Sequence, residues 1–412
     1  MTQGDRRTPT KVAAVVAVVG AVAFVALATT LVPWDPVPGP TLTAPAADTV
    51  FSPHQIAAAE AFTRGARLWS WSSLGVSLAI ACWLGFSSLG LRLARAVPGP
   101  WWARVVLIVA VLALVGRIAT LPFALLLHDH LVDYGLSTQT RPEFLLDLAK
   151  GEAIGVVVTS LAVLVVVGSA RRWKRAWPAV AGGVLAGFVI VGSLAYPVVI
   201  EPIFNHFEPL PDGQLRSQIL ALADQEGVDV DEVLVADASR RTTTLNAYVS
   251  GFGTTRRVVV YDNLVEDLPR GEALSVVAHE LAHARHRDVL TGSLLGAAGV
   301  LCGMGLLGLV VGLRRGASIS DPAVVPFVLA LVALAGFVST PVQNTISRQI
   351  ETRADVDALR ATRDPEAFVQ MQKELALRSF SEPTPPALVQ LWFGSHPTTM
   401  QRIGLAEHVL DK

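Results

Sequence analysis

The chain has 412 residues, of which 52% are hydrophobic and only 16% charged. That balance is far from an ordinary soluble protein, and a net charge of −1 provides no basic field to attract nucleic acid, so no nucleic-acid partner is expected. The two cysteines, Cys82 and Cys302, both lie in apolar runs; they give no disulfide framework and no thiolate metal site.

Residues 12–33 are apolar and uncharged behind Arg6, Arg7 and Lys11, and read as a membrane-spanning helix. A cleaved signal peptide is the rival reading, because Ala26-Leu27-Ala28 resembles a cleavage site, but the apolar run continues past it. A proline-rich loop runs from Trp34 to Pro45. Four more apolar runs follow, at 68–91, 105–127, 153–170 and 177–200. Arg117 interrupts the third. A charge at that depth costs about 2.5–3.5 kcal/mol, so Arg117 is expected to face protein or a watery cavity, and Pro122 permits a kink. A polar loop, His128 to Lys150, separates the third and fourth runs, and Trp101, Trp102, Trp173 and Trp177 mark span ends.

From Glu201 the composition turns polar. GQLRSQILALADQEG has helical spacing and a glycine stop, and DEVLVADAS reads as a short strand. LNAYVSGFGTTRRVVVYDNL reads as a hairpin around Gly251, Gly253 and Thr254. A helix over 270–287 leads into a sixth span, 289–313, stopped by Arg314 and Arg315. A seventh, 322–340, ends at Pro341. The expected fold is mostly α and polytopic, with about seven transmembrane helices and a small α+β zincin-like catalytic subdomain. Its parts are a five-span membrane domain (1–200), a catalytic subdomain (201–288), a transmembrane hairpin (289–340) and a C-terminal part of the catalytic domain (341–412).

The chemistry centres on HELAHARHRDV, from His279 to Val289. Residues four apart share a helix face, so His279 and His283 present two imidazoles to one tetrahedral metal, with Glu280 placed to take a proton from water. Downstream, Glu351 and Asp355 are again four apart. Glu351 is the expected third zinc ligand, and Asp355 the acceptor that fixes the tautomer of a ligand histidine. One Zn2+ per chain is expected. The developing oxyanion needs a further donor, for which His396 and Arg402 in SHPTTMQRI are the candidates; the competing reading is a helix start capped by Ser395. His286 reads as a surface or supporting histidine, and Asp288 as a local cap or pairing partner.

With these residues in view the chain resembles integral-membrane zinc endopeptidases that include the type I CAAX prenyl proteases and HtpX. The resemblance is carried by NAY at Asn246–Tyr248, HELAH at His279–His283, ETRAD at Glu351–Asp355, and SHP with Arg402 and Ile403. It implies zinc on His279, His283 and Glu351, Glu280 as general base, Asp355 behind a ligand histidine, and Asn246, Ala247 and Tyr248 on an edge strand that pairs with substrate. His396 and Arg402 would lie near the substrate or oxyanion. The partners implied are a peptide or protein substrate and the lipid bilayer; oligomeric state is not readable. Two other readings are weaker. Site-2-type proteases need an aspartate on a later membrane helix, whereas Pro211-Asp212-Gly213 lies upstream. An inactive scaffold or transporter-like protein with a vestigial metal site sits poorly with a full set of ligands, base and orienting acid.

Orientation follows from the short loops. Arg6, Arg7, Lys11, Arg92, Arg95, Arg104, Arg171, Arg172, Lys174, Arg175, Arg314 and Arg315 fall on one side, against Arg64, Arg67, Arg141 and Lys150 on the other. The positive-inside rule puts the first set in the cytoplasm and the zinc site on the extracytoplasmic face of the cell membrane.

Overall fold

A computed structural model describes residues 3–37, 43–251, 256–313 and 318–410. Helix α1 (Gln3–Leu31) is followed by α2 (Pro53–Phe86), α3 (Ser88–Ala96), α4 (Trp101–Asp133), α5 (Arg141–Arg172), α6 (Trp177–Val199) and the single turn α7 (Glu201–Phe204). Strand β1 (Phe207–Pro209), helix α8 (Gln214–Gln225), strands β2 (Glu232–Ala236), β3 (Ala247–Ser250) and β4 (Arg257–Tyr261), and helices α9 (Asp262–Asp267) and α10 (Arg270–His286) come next. Helices α11 (Asp288–Leu313), α12 (Val325–Thr362), α13 (Pro365–Arg378), α14 (Ala387–Phe393) and α15 (Thr399–Leu410) complete the described chain. Among the described residues, seven segments are long and apolar enough to cross a membrane; their helices are α1, α2, α4, α5, α6 with α7, α11 and α12.

The helices run further than hydropathy alone marks. The second begins at Pro53 rather than 68, because a capping box between Ser52 and Gln55 starts it and the alanine-rich stretch behind sustains it. It stops at Phe86 rather than 91, where Ser87 is extended and α3 turns away. The expected polar loop over 128–150 shrinks to 134–140. Helix α4 continues to Asp133, and a capping box of Thr140 and Glu143 with an early proline starts α5 at Arg141. The seventh span does not end at Pro341. Helix α12 carries that proline inside it and is 38 residues long in all, about 57 Å at 1.5 Å per residue, roughly twice what a bilayer core needs. Its second half therefore stands clear as an extramembrane post bearing Glu351 and Asp355. Arg117 of α4 is paired with Glu152 of α5 at 2.6 Å, so its charge is met within the helix bundle. Trp101 and Trp177 open α4 and α6, and Trp173 closes α5.

Helix α1 packs along α11 with backbones nearly touching. A Cβ at Gly20 would lie 2.2 Å from the Cys302 nitrogen, and one at Gly305 2.2 Å from that of Ala17, so only glycine permits this approach.

Among the described residues, the segment after α7 forms a four-stranded sheet in the order β1-β2-β4-β3. Strand β2 is parallel to β4, while β3 is antiparallel to β4 in the register Ala247↔Val260 to Ser250↔Arg257. The hairpin therefore forms as the alternation predicts, but Gly253 and Thr254 of its turn lie outside the described residues, as do Arg314 and Arg315. One face of the sheet closes over Ile219 of α8, Val277 and Leu281 of α10, Leu359 of α12, Phe368 of α13 and Leu405 of α15. Val277, Leu281, Leu359 and Phe368 are each fully buried, and every such side chain contributes about 1.5–3 kcal/mol. This core holds α10 and the post of α12 side by side.

Candidate active site

Helix α10 buries Ala273, Val277 and Leu281 in that core and turns His279, Glu280 and His283 toward α12. The His279 and His283 Nε2 atoms stand 3.1 Å apart. A Glu351 oxygen lies 3.2 Å from His279 Nε2, and the other lies 3.6 Å from His283 Nε2. Zinc bonds of 2.0–2.2 Å in a tetrahedron place neighbouring donors about 3.3 Å apart, so these groups are close enough to share one zinc ion. His279, His283 and Glu351 are the three metal-capable residues that converge within 4.8 Å among the described residues.

Each histidine has a carboxylate on its far nitrogen. Asp355 Oδ1 lies 2.9 Å from His279 Nδ1, and Asp288 Oδ2 2.9 Å from His283 Nδ1. Both arrangements leave Nε2 available to a metal ion. Asp288 reaches back because α10 ends at Arg287 in the left-handed region (φ 57°), which turns the first residue of α11 under the histidine. Arg353 pairs with Asp288 from behind. Sequence reasoning missed this role for Asp288.

Arg402 of α15 is buried against Asp355, with contacts of 2.8 Å from Nε and 2.5 Å from Nη2. The Gln372 amide, with its oxygen turned to the guanidinium, accepts from it at 3.1 and 3.2 Å. The structure thus places Arg402 behind His279 and Asp355. His396 comes to the cluster from the segment before α15, with Nε2 3.2 Å from Glu351 Oε2 and Nδ1 2.9 Å from Ser395 Oγ. The helix cap is Thr398, which exchanges hydrogen bonds with Gln401, so Ser395 is left to His396. His286 pairs with Asp357 at 2.7 Å, outside the donor cluster.

The electrostatics suit a cation. Burial pulls the His279 pKa down, but the Asp355 and Glu351 carboxylates outweigh it and raise it to about 10, so the pocket favours positive charge at this imidazole. Burial raises the Glu280 carboxyl, with both histidines opposing, and burial lowers the His396 imidazole despite Glu351.

Asn246 leads into β3, the edge of the sheet, and α10 packs against that strand. The Tyr261 N–H donates to the Asn246 carbonyl at 3.0 Å. By alternation the N–H and C=O groups of Ala247 and Val249 point to the open edge. The loop after α4 steadies the approach to this strand: Thr242 Oγ1 donates to the Leu136 carbonyl at 3.1 Å and Thr138 N to the Arg241 carbonyl at 3.2 Å.

The profile of peptidase family M48 matches residues 209–409, and that of the CAAX prenyl protease N-terminal region, five membrane helices, matches 60–206. The uncharacterized metalloprotease YhfN of Bacillus subtilis is 33% identical over 307 residues, covering 73% of this chain and 72% of YhfN. The chain belongs to peptidase family M48. This M48 chain is also similar to CAAX prenyl protease 1 of Saccharomyces cerevisiae, 38% identical over 102 residues, or 24% of this chain and 22% of that protein. It shares the fold of the crystal structure of S. mikatae Ste24p, with a TM-score of 0.77 at 18% identity, covering 96% of this chain and 99% of that one. The M48 chain is thus a multi-pass membrane zinc metalloprotease of the CAAX prenyl protease type.

Proposed function

We propose that this M48 peptidase is an endopeptidase that uses one zinc ion, held by His279, His283 and Glu351, to hydrolyse peptide bonds in an extended substrate. The observation that carries the reading is the convergence of one donor atom from each of those three residues within 4.8 Å, with Asp355 and Asp288 behind the two histidines. When bound there, zinc acidifies a water and polarises the scissile carbonyl. Glu280, beside His279 on α10, takes the proton released from the water and returns it to the leaving amine. His396 supplies a neutral imidazole at the Glu351 edge of the site, where it donates to the oxyanion that develops on the carbonyl oxygen. Arg402, committed to Asp355, acts as a positioning residue: it keeps Asp355 charged and aimed at His279. The open edge at Asn246, Ala247 and Tyr248 binds the substrate backbone by strand addition.

We further infer that the site faces the extracytoplasmic side. Several contacts support the sidedness assumed by the charge count. The loop after α1 meets α15, where Gly404 lies against Pro45, and the loop after α4 meets the approach to β3. At the opposite ends, Arg171 donates to the Ser320 carbonyl and Arg104 stands 4.0 Å from Asp321. The loops that carry Arg104 and Arg171 thus meet at the helix ends away from the zinc site, the side that the positive-inside rule makes cytoplasmic. The similar eukaryotic proteins are named for CAAX prenyl substrates. A peptide or protein substrate on the far side of the membrane fits this chain better than a prenylated cytosolic one. The test is hydrolysis of quenched fluorescent peptides by purified protein: activity lost to a chelator and restored by zinc supports the reading, and activity that persists without metal contradicts it.

A further inference from the structure

A cleft of about 530 Å³ runs along the β3 edge between Tyr196 and Pro197 of α6, Glu201 at the start of α7, Tyr248 and Ser250 of β3, and Val289 of α11. Val289 follows Asp288, the partner of His283, so the chain joins one wall of the cleft directly to the His283 support. Its lining is mostly apolar apart from one carboxylate. Glu201 is half-buried and accepts from the Tyr248 hydroxyl at 3.3 Å through one oxygen; no ion pair engages it among the described residues. Arg257 donates to the Pro197 carbonyl at 3.5 Å and makes no ion pair with Glu201 within 4.0 Å. On the same wall the Ser250 hydroxyl is buried with no hydrogen-bond partner, the residue being 5% exposed. A carboxylate with an unused oxygen and an unpaired hydroxyl in an apolar cleft form a site for a cationic donor, because low polarity strengthens a charge-assisted bond.

The position relative to β3 identifies the occupant. A peptide added to the open edge would pair with Ala247 and Val249, and only every second side chain of it can enter the cleft. We propose that the cleft is a specificity subsite for a lysine or arginine side chain of the bound peptide, with Glu201 as its counter-ion. The proposal rests on the edge-strand reading above and adds the class of side chain selected. Helix α7 is a single turn and Glu201 is its first residue, so a purely structural role, holding Tyr248, is the alternative to be separated.

The experiment uses full-length Glu280→Gln protein, which leaves bound peptide uncleaved, and extended peptides differing only in lysine against norleucine at successive positions. Binding is read by fluorescence anisotropy. The expected result is one position at which lysine binds at least tenfold tighter, and a fall of that ratio to about one in Glu201→Gln/Glu280→Gln. A ratio near one at every position in Glu280→Gln overturns the subsite, and this comparison decides the matter even if the double variant does not fold. A ratio that survives Glu201→Gln also overturns it. So does an equal loss of both peptides, which would assign Glu201 to holding Tyr248. Hydrolysis of the same peptides by unsubstituted protein is measured in parallel. A lysine preference in binding without hydrolysis contradicts the endopeptidase reading and leaves the subsite standing; hydrolysis without the preference does the reverse.

Discussion

Asp355→Asn should damage the protein in two separable ways. Asp355 is fully buried and meets His279 at 2.9 Å and Arg402 at 2.8 and 2.5 Å. The neutral amide still accepts from His279, but a charge-assisted bond is about twice as strong as a neutral one. Loss of a carboxylate behind a ligand histidine costs about 10–100-fold in metal affinity, and the retained acceptor argues for the lower end, about 1.4 kcal/mol. Stability suffers more. The Arg402 guanidinium is left buried with the Gln372 oxygen as its remaining partner, and an uncompensated buried charge costs about 3–5 kcal/mol. Arg402→Met should destabilise by a similar amount, because it strips Asp355 of its counter-ion. The double variant should recover most of the stability and none of the metal affinity. Thermal unfolding in detergent gives the first quantity and chelator competition the second. Strict additivity of the two stability losses, within about 0.5 kcal/mol, would refute the claim that the pair acts as one unit.

Three further outcomes follow from the same geometry. Asp288→Asn should weaken metal binding about tenfold or more by chelator competition, since it stands behind His283 as Asp355 does behind His279; unchanged affinity would reduce Asp288 to a pairing partner of Arg353. Ala247→Pro removes an N–H that β4 does not use, so it should raise KM about tenfold while leaving zinc content intact; normal kinetics would show that substrate does not pair with β3. A reporter active only in the cytoplasm, fused after Lys412, should be silent, and its activity would reverse the orientation argued from the loop arginines.

Much of this was legible in the sequence. The residues of HELAH and ETRAD announced their cluster because helical spacing is local, and the span count followed from apolar length. The errors came from hydropathy stopping where lipid stops. Helices α2, α4, α5 and α12 continue past their apolar runs on capping boxes and alanine-rich or charged turns, which a span search ignores. The extension of α12 past Pro341 matters most, since it puts Glu351 and Asp355 on one continuous helix. Strand β1 was missed because a three-residue strand leaves no alternation to read. The placement of Arg402 and Asp288 depends on contacts between distant helices and across a left-handed residue, and spacing along the chain does not encode either.

The central claim is that one metal held by His279, His283 and Glu351 works with Glu280 as base. Metal content and peptide hydrolysis measured together on unsubstituted protein, Glu280→Gln and His283→Ala test it most directly. The account predicts about one zinc per chain and hydrolysis in the first, full zinc with hydrolysis reduced at least about 100-fold in the second, and loss of both in the third. Glu280→Gln protein that hydrolyses peptide at the unsubstituted rate, or His283→Ala protein that keeps both zinc and activity, would contradict it.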